Sequence, residues 1–119
     1  MQKQPPFLGT FHNKVDRKGR VSVPAPFRQL LAGAPFQGIV CFQSYKVDAI
    51  EGCSLDFMAE LSESVASIDL FSEQQEDLAA TIFSEAHQLA WDSGGRIQLP
   101  PELLANAGID EAAAFVGMG

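Results

Sequence analysis

Arg17, Lys18 and Arg20, flanked by Lys14 and Arg28, gather five of the chain's eight basic residues into 15 positions. Cations at that density suit phosphate. Lys and Arg neutralise a nucleic-acid backbone, and an arginine that reaches guanine O6 and N7 in the major groove reads sequence, each good bidentate contact giving roughly 1–3 kcal/mol of discrimination. Catalysis has less to work with. His12 and His87 are the only histidines, Cys41 and Cys53 lie too far apart for a Cys-x-x-Cys unit, and no Ser/His/Asp or Cys/His set has supporting context. Gly94-Gly95 lacks both the spacing and the Lys-Ser/Thr of a phosphate-cradling loop. These residues point to a non-enzyme with no cofactor, no metal and no small-molecule substrate.

The basic residues sit on one copy of a duplicated unit. Val15-Asp16-Arg17-Lys18-Gly19-Arg20-Val21-Ser22-Val23-Pro24 recurs 76 residues later as Trp91-Asp92-Ser93-Gly94-Gly95-Arg96-Ile97-Gln98-Leu99-Pro100. In the first copy, Lys14 to Asp16 and Arg20 to Val23 read as strands joined by a tight turn, with Asp16 opening it through side chain to backbone hydrogen bonds and Gly19 supplying a positive φ. Asp92, Gly95 and Arg96 repeat that structural turn. Val21 and Val23 share one strand face, with Arg20 and Ser22 on the other. Pro26 then opens a short helix, Phe27-Arg28-Gln29-Leu30-Leu31-Ala32, closed by Gly33, and Gly38 to Phe42 reads as a buried strand. In the second copy Pro100-Pro101 opens a helix through Leu103-Leu104-Ala105-Asn106 that Gly108 stops, and Phe115-Val116 falls 76 residues after Ile39-Val40. The expected organisation is a first repeat over 7–53, an insertion over 54–90 and a second repeat over 91–119, the two repeats sharing one core, because 119 residues cannot build two large ones.

Residues 54–90 read as helical and acidic. Leu55, Met58, Leu61, Val65 and Ile68 recur at spacings of three and four; Ser72-Glu73-Gln74-Gln75 fits a capping box for a second helix, striped by Leu78, Ile82, Ala86 and Leu89. Their carboxylates read as a solvated face. Trp91 reads as core, His87 as helical and the cysteines as small core or near-surface residues.

The formal net charge of −7 weighs against a nucleic-acid partner until its distribution is followed. Residues 1–47 hold seven basic residues against Asp16, a net +6, while 48–119 hold Arg96 against 14 acidic residues, a net −13. With screening over about 8 Å at physiological salt, a basic surface can face phosphate while a distant acidic one faces water. No run of 18 apolar residues suggests a membrane span, and the first residues lack the apolar segment of a secretory signal, so a cytoplasmic address is expected.

Phe7-Leu8-Gly9, the Val15 to Pro24 unit, Phe27-Arg28, Leu30-Leu31, Gly94-Gly95-Arg96, Pro100-Pro101, Gly108 and Val116-Gly117, in that order, resemble the MraZ family of bacterial transcriptional regulators, which carry two SpoVT-AbrB type domains in one chain. The resemblance implies an α+β fold in which the two repeats form a swapped-hairpin (double-psi-like) β-barrel with the acidic helices inserted between them. It also implies a homo-oligomeric ring, a cytoplasmic, nucleoid-associated location, and double-stranded DNA as partner at promoter repeats of the division and cell wall gene cluster. Family chains usually continue through a further strand segment and a helical tail, so a second half truncated at its C-terminus is an expectation here.

Within this scheme the basic hairpin of repeat one is the expected DNA reader, through Lys14, Arg17, Lys18, Arg20 and Arg28. Arg17 and Lys18 carry the case, because their counterparts Ser93 and Gly94 are neutral and the turn itself does not need charge. Asp16 and Asp92 read as pins of the turn; Arg20 either pairs with Asp16 or faces DNA, and Arg96 either pairs with Asp92 or adds a contact. His12 lies near the hairpin. The competing reading is an oligomeric interaction or scaffold module without direct DNA readout, whose acidic helices recruit a basic partner.

Overall fold

The computed structural model describes residues 6–67 and 80–118, the side chains of 64–67 excepted. Among these residues seven strands run in the order β1 (Thr10–Lys14), β2 (Arg20–Ser22), β3 (Gly38–Gln43), β4 (Ile50–Cys53), β5 (His87–Ala90), β6 (Arg96–Gln98) and β7 (Ala112–Val116). The helices are α1 (Ala25–Leu30), α2 (Leu55–Ser67), α3, helical over residues 80–85, and α4 (Pro101–Ala107). The chain is α+β, and its strands form three antiparallel sheets, β1-β7, β2-β6 and β4-β3-β5, with no closed barrel among the described residues.

Each copy of the duplicated unit pairs with the other. In the middle, β2 lies antiparallel to β6 with Val21 opposite Ile97, and these two side chains are the most deeply buried, each 1% exposed. Because Ile97 is itself the repeat counterpart of Val21, a pseudo-twofold axis passes through this pair. The outer strands obey the same axis: β1 pairs with β7 and β5 with β3. Around the central pair, Val15, Val23, Phe27, Cys41, Leu99, Leu103 and Ala113 complete one shared core. Phe27 receives the edges of Phe7 and Phe11 with ring centroids 5.2 and 5.3 Å away, so the chain start is pinned to α1.

Several boundaries differ from those expected. The strand expected at Lys14 to Asp16 runs instead from Thr10 to Lys14, and Val15 forms only an isolated bridge to Val21. The polar segment Thr-Phe-His-Asn-Lys becomes a strand because β7 supplies its hydrogen bonds, and alternate residues, Phe11 and Asn13, are half-buried. α1 begins two residues earlier than expected and ends at Leu30, capped by Leu31, so Gly33 lies beyond it. In contrast Gly108 caps α4 in the left-handed conformation at φ 67°, its N–H donating to the carbonyls of Ala105 and Leu104. The insertion is not helical throughout 54–90: residues 87–90 form β5, so His87 and Leu89 are strand residues, opposite Cys41 and Ile39. A helical spacing of apolar residues coincided there with the counterpart of β1, and sheet pairing decided the outcome.

The repeat offset also changes along the chain. Asn13 pairs with Ala113 while its counterpart Leu89 pairs with Ile39, which makes Ala113 the repeat counterpart of Ile39 at an offset of 74 rather than 76. From helix start to strand start the first unit is two residues longer, Ala25 to Gly38 against Pro101 to Ala112, and this stretch absorbs the difference. β4, a strand not foreseen, flanks β3 on its other edge.

A second small core lies on the outer side of β3, where Val40 and Phe42 pack against Met58 of α2, with Leu61, Ile82, Phe83 and Ala86 around them. Ser54 starts α2, its Oγ accepting from the Phe57 N–H at 2.9 Å. From the expected stripe, Met58 is buried and Leu61 half-buried, but Leu55 is exposed. The side chains of Val65 and Ile68 and the expected capping box at Ser72 to Gln75 lie outside the described residues, as does Leu78.

Candidate nucleic-acid interface

Asp16 organises the first turn by saturating its carboxylate. Its Oδ1 accepts from the Lys18 and Arg20 N–H groups at 2.9 and 2.8 Å, and Oδ2 accepts from Arg20 Nε at 2.7 Å. Asp92 repeats the pattern, Oδ1 accepting from the Gly94 and Arg96 N–H groups at 2.8 and 3.0 Å and Oδ2 from Arg96 Nε at 3.3 Å. The backbone hydrogen bond from Arg20, assisted by its guanidinium and the Lys18 N–H, holds the Asp16 carboxyl below the usual carboxylate range despite some loss of hydration. Bonds from Arg96 and Gly94 do the same for Asp92. Gly19 and Gly95 close the two turns at φ 80° and 77°, each donating back to the aspartate carbonyl.

The turns are also stitched together. Val23 N–H donates to the Gly95 carbonyl at 3.0 Å and Leu99 N–H to the Gly19 carbonyl at 2.9 Å, so each hairpin tip is fixed by a strand of the other repeat. Gln98 Nε2 adds a bond to the Lys18 carbonyl at 3.2 Å. The central ribbon therefore presents a rigid outer face with Arg20 opposite Gln98 and Ser22 opposite Arg96. Both arginines, 37% and 43% exposed at their side chains, lie on this face, related by the pseudo-twofold axis.

Arg17 and Lys18 stand exposed at the tip of the first turn, and neither side chain makes a hydrogen bond or ion pair with a described residue. Lys14 is exposed at the end of β1, on the same strand face as His12. Arg28 is placed differently. Its Nε donates to the Val23 carbonyl at 3.0 Å, and its guanidinium lies against Gly95 so closely that a Cβ there would collide with it. The repeat counterpart, Leu104, packs in the same way on Gly19. Arg28 thus fills a structural position that a leucine fills in the other half.

The structure therefore brings Arg17, Lys18 and Arg20 onto one hairpin, sets Arg96 on the same ribbon, and directs Arg28 to the base of the second turn. Ser22 was expected on the strand face of Arg20; Gln98 and the shared face of Arg96 were missed by sequence reasoning. Period-two alternation marked them as outward, but only the pairing of β2 with β6 shows that they share a surface with Arg20. Away from the ribbon, Cys41 is buried and its thiol pushed up to about 12 by loss of hydration, and Cys53 to about 11 for the same cause, so neither is a reactive thiolate at neutral pH. Among the described residues no helix is long and apolar enough to cross a membrane.

Comparison with known proteins gives a consistent set of relatives. The chain is 44% identical over 113 residues to the transcriptional regulator MraZ of Pelagibacter ubique, an alignment covering 95% of this chain and 73% of the relative. It is 41% identical to the protein of the same name from Rickettsia canadensis and 40% identical to that from Rickettsia akari, each match covering 95% of this chain and 76% of the relative. The solution structure of PHS018 from Pyrococcus horikoshii is similar at a TM-score of 0.42 and 16% identity, over 95% of this chain and 91% of that one. No family model matches the chain.

Proposed function

The chain belongs to the MraZ family, and on that premise we propose that it is a bacterial transcriptional regulator that binds double-stranded DNA through the first-repeat hairpin. One observation carries the reading. Two turns with the same backbone and the same buttressing carboxylate differ at their tips, Arg17-Lys18 against Ser93-Gly94, and the charged tip projects side chains that the fold does not use. A two-stranded ribbon fits a major groove about 12 Å wide. Arg17, Lys18 and Lys14 would hold phosphates, while Arg20, with Arg96 and Gln98 beside it, would face base edges. Arg28, engaged with Val23 and Gly95, would position the ribbon.

The finer parts of this reading follow the family resemblance: promoter repeats of the division and cell wall gene cluster as target, a homo-oligomeric ring that presents several hairpins at once, and action at the nucleoid. The crossed pairing of β1 with β7 and β2 with β6 supports a swapped-hairpin barrel as the underlying scheme. An oligomer would repeat a weak single-hairpin contact at fixed spacing.

The test is affinity for a fragment of that promoter as a function of salt. Each phosphate contact contributes a slope of about −0.9 in log K against log salt, so replacing Arg17 and Lys18 together by Ala should flatten the plot by about 2 and weaken binding at least tenfold. Unchanged affinity and slope in a folded double variant would remove the hairpin tip from the interface. Retention of a protein partner without any DNA retention would instead favour the scaffold reading.

A further inference from the structure

The pseudo-twofold axis through Val21 and Ile97 carries Arg20 onto Arg96 and Ser22 onto Gln98. The outer face of the ribbon is therefore symmetric in its arginines and asymmetric in the residues opposite them, since Arg20 faces Gln98 while Arg96 faces Ser22. The core does not dictate the difference, because both positions alternate with the inward Val21 and Ile97. Gln98 is exposed and Ser22 half-buried.

Gln98 is also held in a way that Ser22 is not. Its Nε2 donates to the Lys18 carbonyl at 3.2 Å, 80 positions away in sequence, whereas no bond joins the Ser22 side chain to the matching Gly94 carbonyl among the described residues. That bond engages one amide hydrogen and fixes the amide plane. It leaves Oε1 and the second N–H, the acceptor and donor that adenine N6 and N7 require. Arg20 is held in the same manner: its Nε is engaged by Asp16 Oδ2 at 2.7 Å, which leaves the two terminal amino groups as the fork for guanine O6 and N7. A serine hydroxyl, with one rotating hydrogen, accepts either base. Directly opposed residues of a ribbon have Cβ atoms about 4.5–5.5 Å apart, close to the roughly 3.4 Å step between base pairs, so Arg20 and Gln98 reach neighbouring pairs.

We propose that Gln98 is a specificity-determining residue that reads an A·T pair beside the guanine taken by Arg20, and that it thereby gives direction to an otherwise twofold reading face. The end with Arg20 and Gln98 recognises two successive base pairs; the end with Arg96 and Ser22 recognises one. Base contacts from two equivalent ends would read a site alike in either orientation. This ribbon has one preferred orientation, with the charged Arg17-Lys18 tip, to which Gln98 is bonded, at the A·T end. The inference rests on the DNA-binding reading and deepens it by naming the base that one residue selects.

The test is the affinity of the whole protein for a fragment of the division and cell wall promoter in which each base pair of the repeat unit is replaced in turn by the other three, in every copy at once. On one side only of the guanine contacts, replacing an A·T pair should weaken wild-type binding roughly fivefold or more. Gln98→Ser, which makes the face symmetric, should level the four pairs at that position to within about twofold, while the guanine requirement and the salt slope persist. Gln98→Glu, which can only accept, should move the preference there to the cytosine N4 donor. Both variants lose the bond to Lys18, so a mere brace would lower affinity for every duplex alike. That uniform loss, or a base preference unchanged in the variants, overturns the proposal. Circular dichroism and melting temperature establish folding, and two variants are used so that one misfolded protein does not decide the matter. Wild-type binding without an A·T preference beside the guanines sinks this inference alone; no binding to any fragment sinks the functional reading with it.

Discussion

A carboxylate accepting three hydrogen bonds at once is a pH-dependent fastening. Asp16 and Asp92 each hold a turn closed as the ionised form, and each titrates below its ordinary value of 3.8. A depressed folded-state value means that their stabilisation is fully present above about pH 4 and is lost as pH falls through the folded-state value, because the unfolded chain takes up the protons first. Urea unfolding midpoints should therefore drop steeply below pH 4, and Asp16→Asn should be less stable at pH 7 with a flatter acid limb; identical pH profiles for the two proteins would refute the fastening role. Gly95 is constrained twice, by φ 77° and by the Arg28 guanidinium. Gly95→Ala should cost about 1 kcal/mol for the conformation alone and more for the collision. In an Arg28→Ala background the collision part should disappear, which a double-mutant cycle of unfolding free energies measures.

Among the elements, the three-residue strands β2 and β6 are the shortest and carry the deepest burial. Neither could persist alone. Val21 and Ile97 hold them by removing both side chains from water, a contribution of roughly 1.5–3 kcal/mol each. Ile97→Ala should cost about 2–5 kcal/mol by thermal or urea unfolding, and should also abolish DNA binding, since it loosens the ribbon that displays Arg20. Loss of stability without loss of affinity at a temperature where the variant is folded would separate the ribbon from the interface. The sequence was most legible at these elements: the Asp-to-Gly turns, the alternation of Val21 and Val23, and the prolines opening α1 and α4 are local chemistry that short windows contain. What short windows do not contain is partnership. β1 and β5 are polar or ambiguous segments made into strands by β7 and β3, and the common face of Arg20, Arg96 and Gln98 exists only because two hairpins 76 residues apart cross. The two-residue change of offset was equally hidden, because it lies in a loop whose length no periodicity records.

Across the whole molecule, segregated charge and interleaved structure act together. The basic half and the acidic half are not separate bodies; every strand of the second unit is bonded to one of the first. A fragment of residues 1–53 should therefore give the narrow amide dispersion of an unfolded chain in a proton–nitrogen correlation spectrum, and a well-dispersed spectrum would show that the first unit is autonomous. The pseudo-twofold pair at Val21 and Ile97 has a consequence for synthesis. A ribosome adding roughly 5–20 residues per second needs some 4 to 15 s to travel from Val21 to Ile97. During that interval the basic hairpin has been made but has nothing to close upon, and the contacts it awaits are distant ones that form slowly. The proposed DNA-reading surface thus comes into being late, only when the acidic half has emerged, so a nascent or prematurely terminated chain carries the basic residues without the geometry that the proposed function requires.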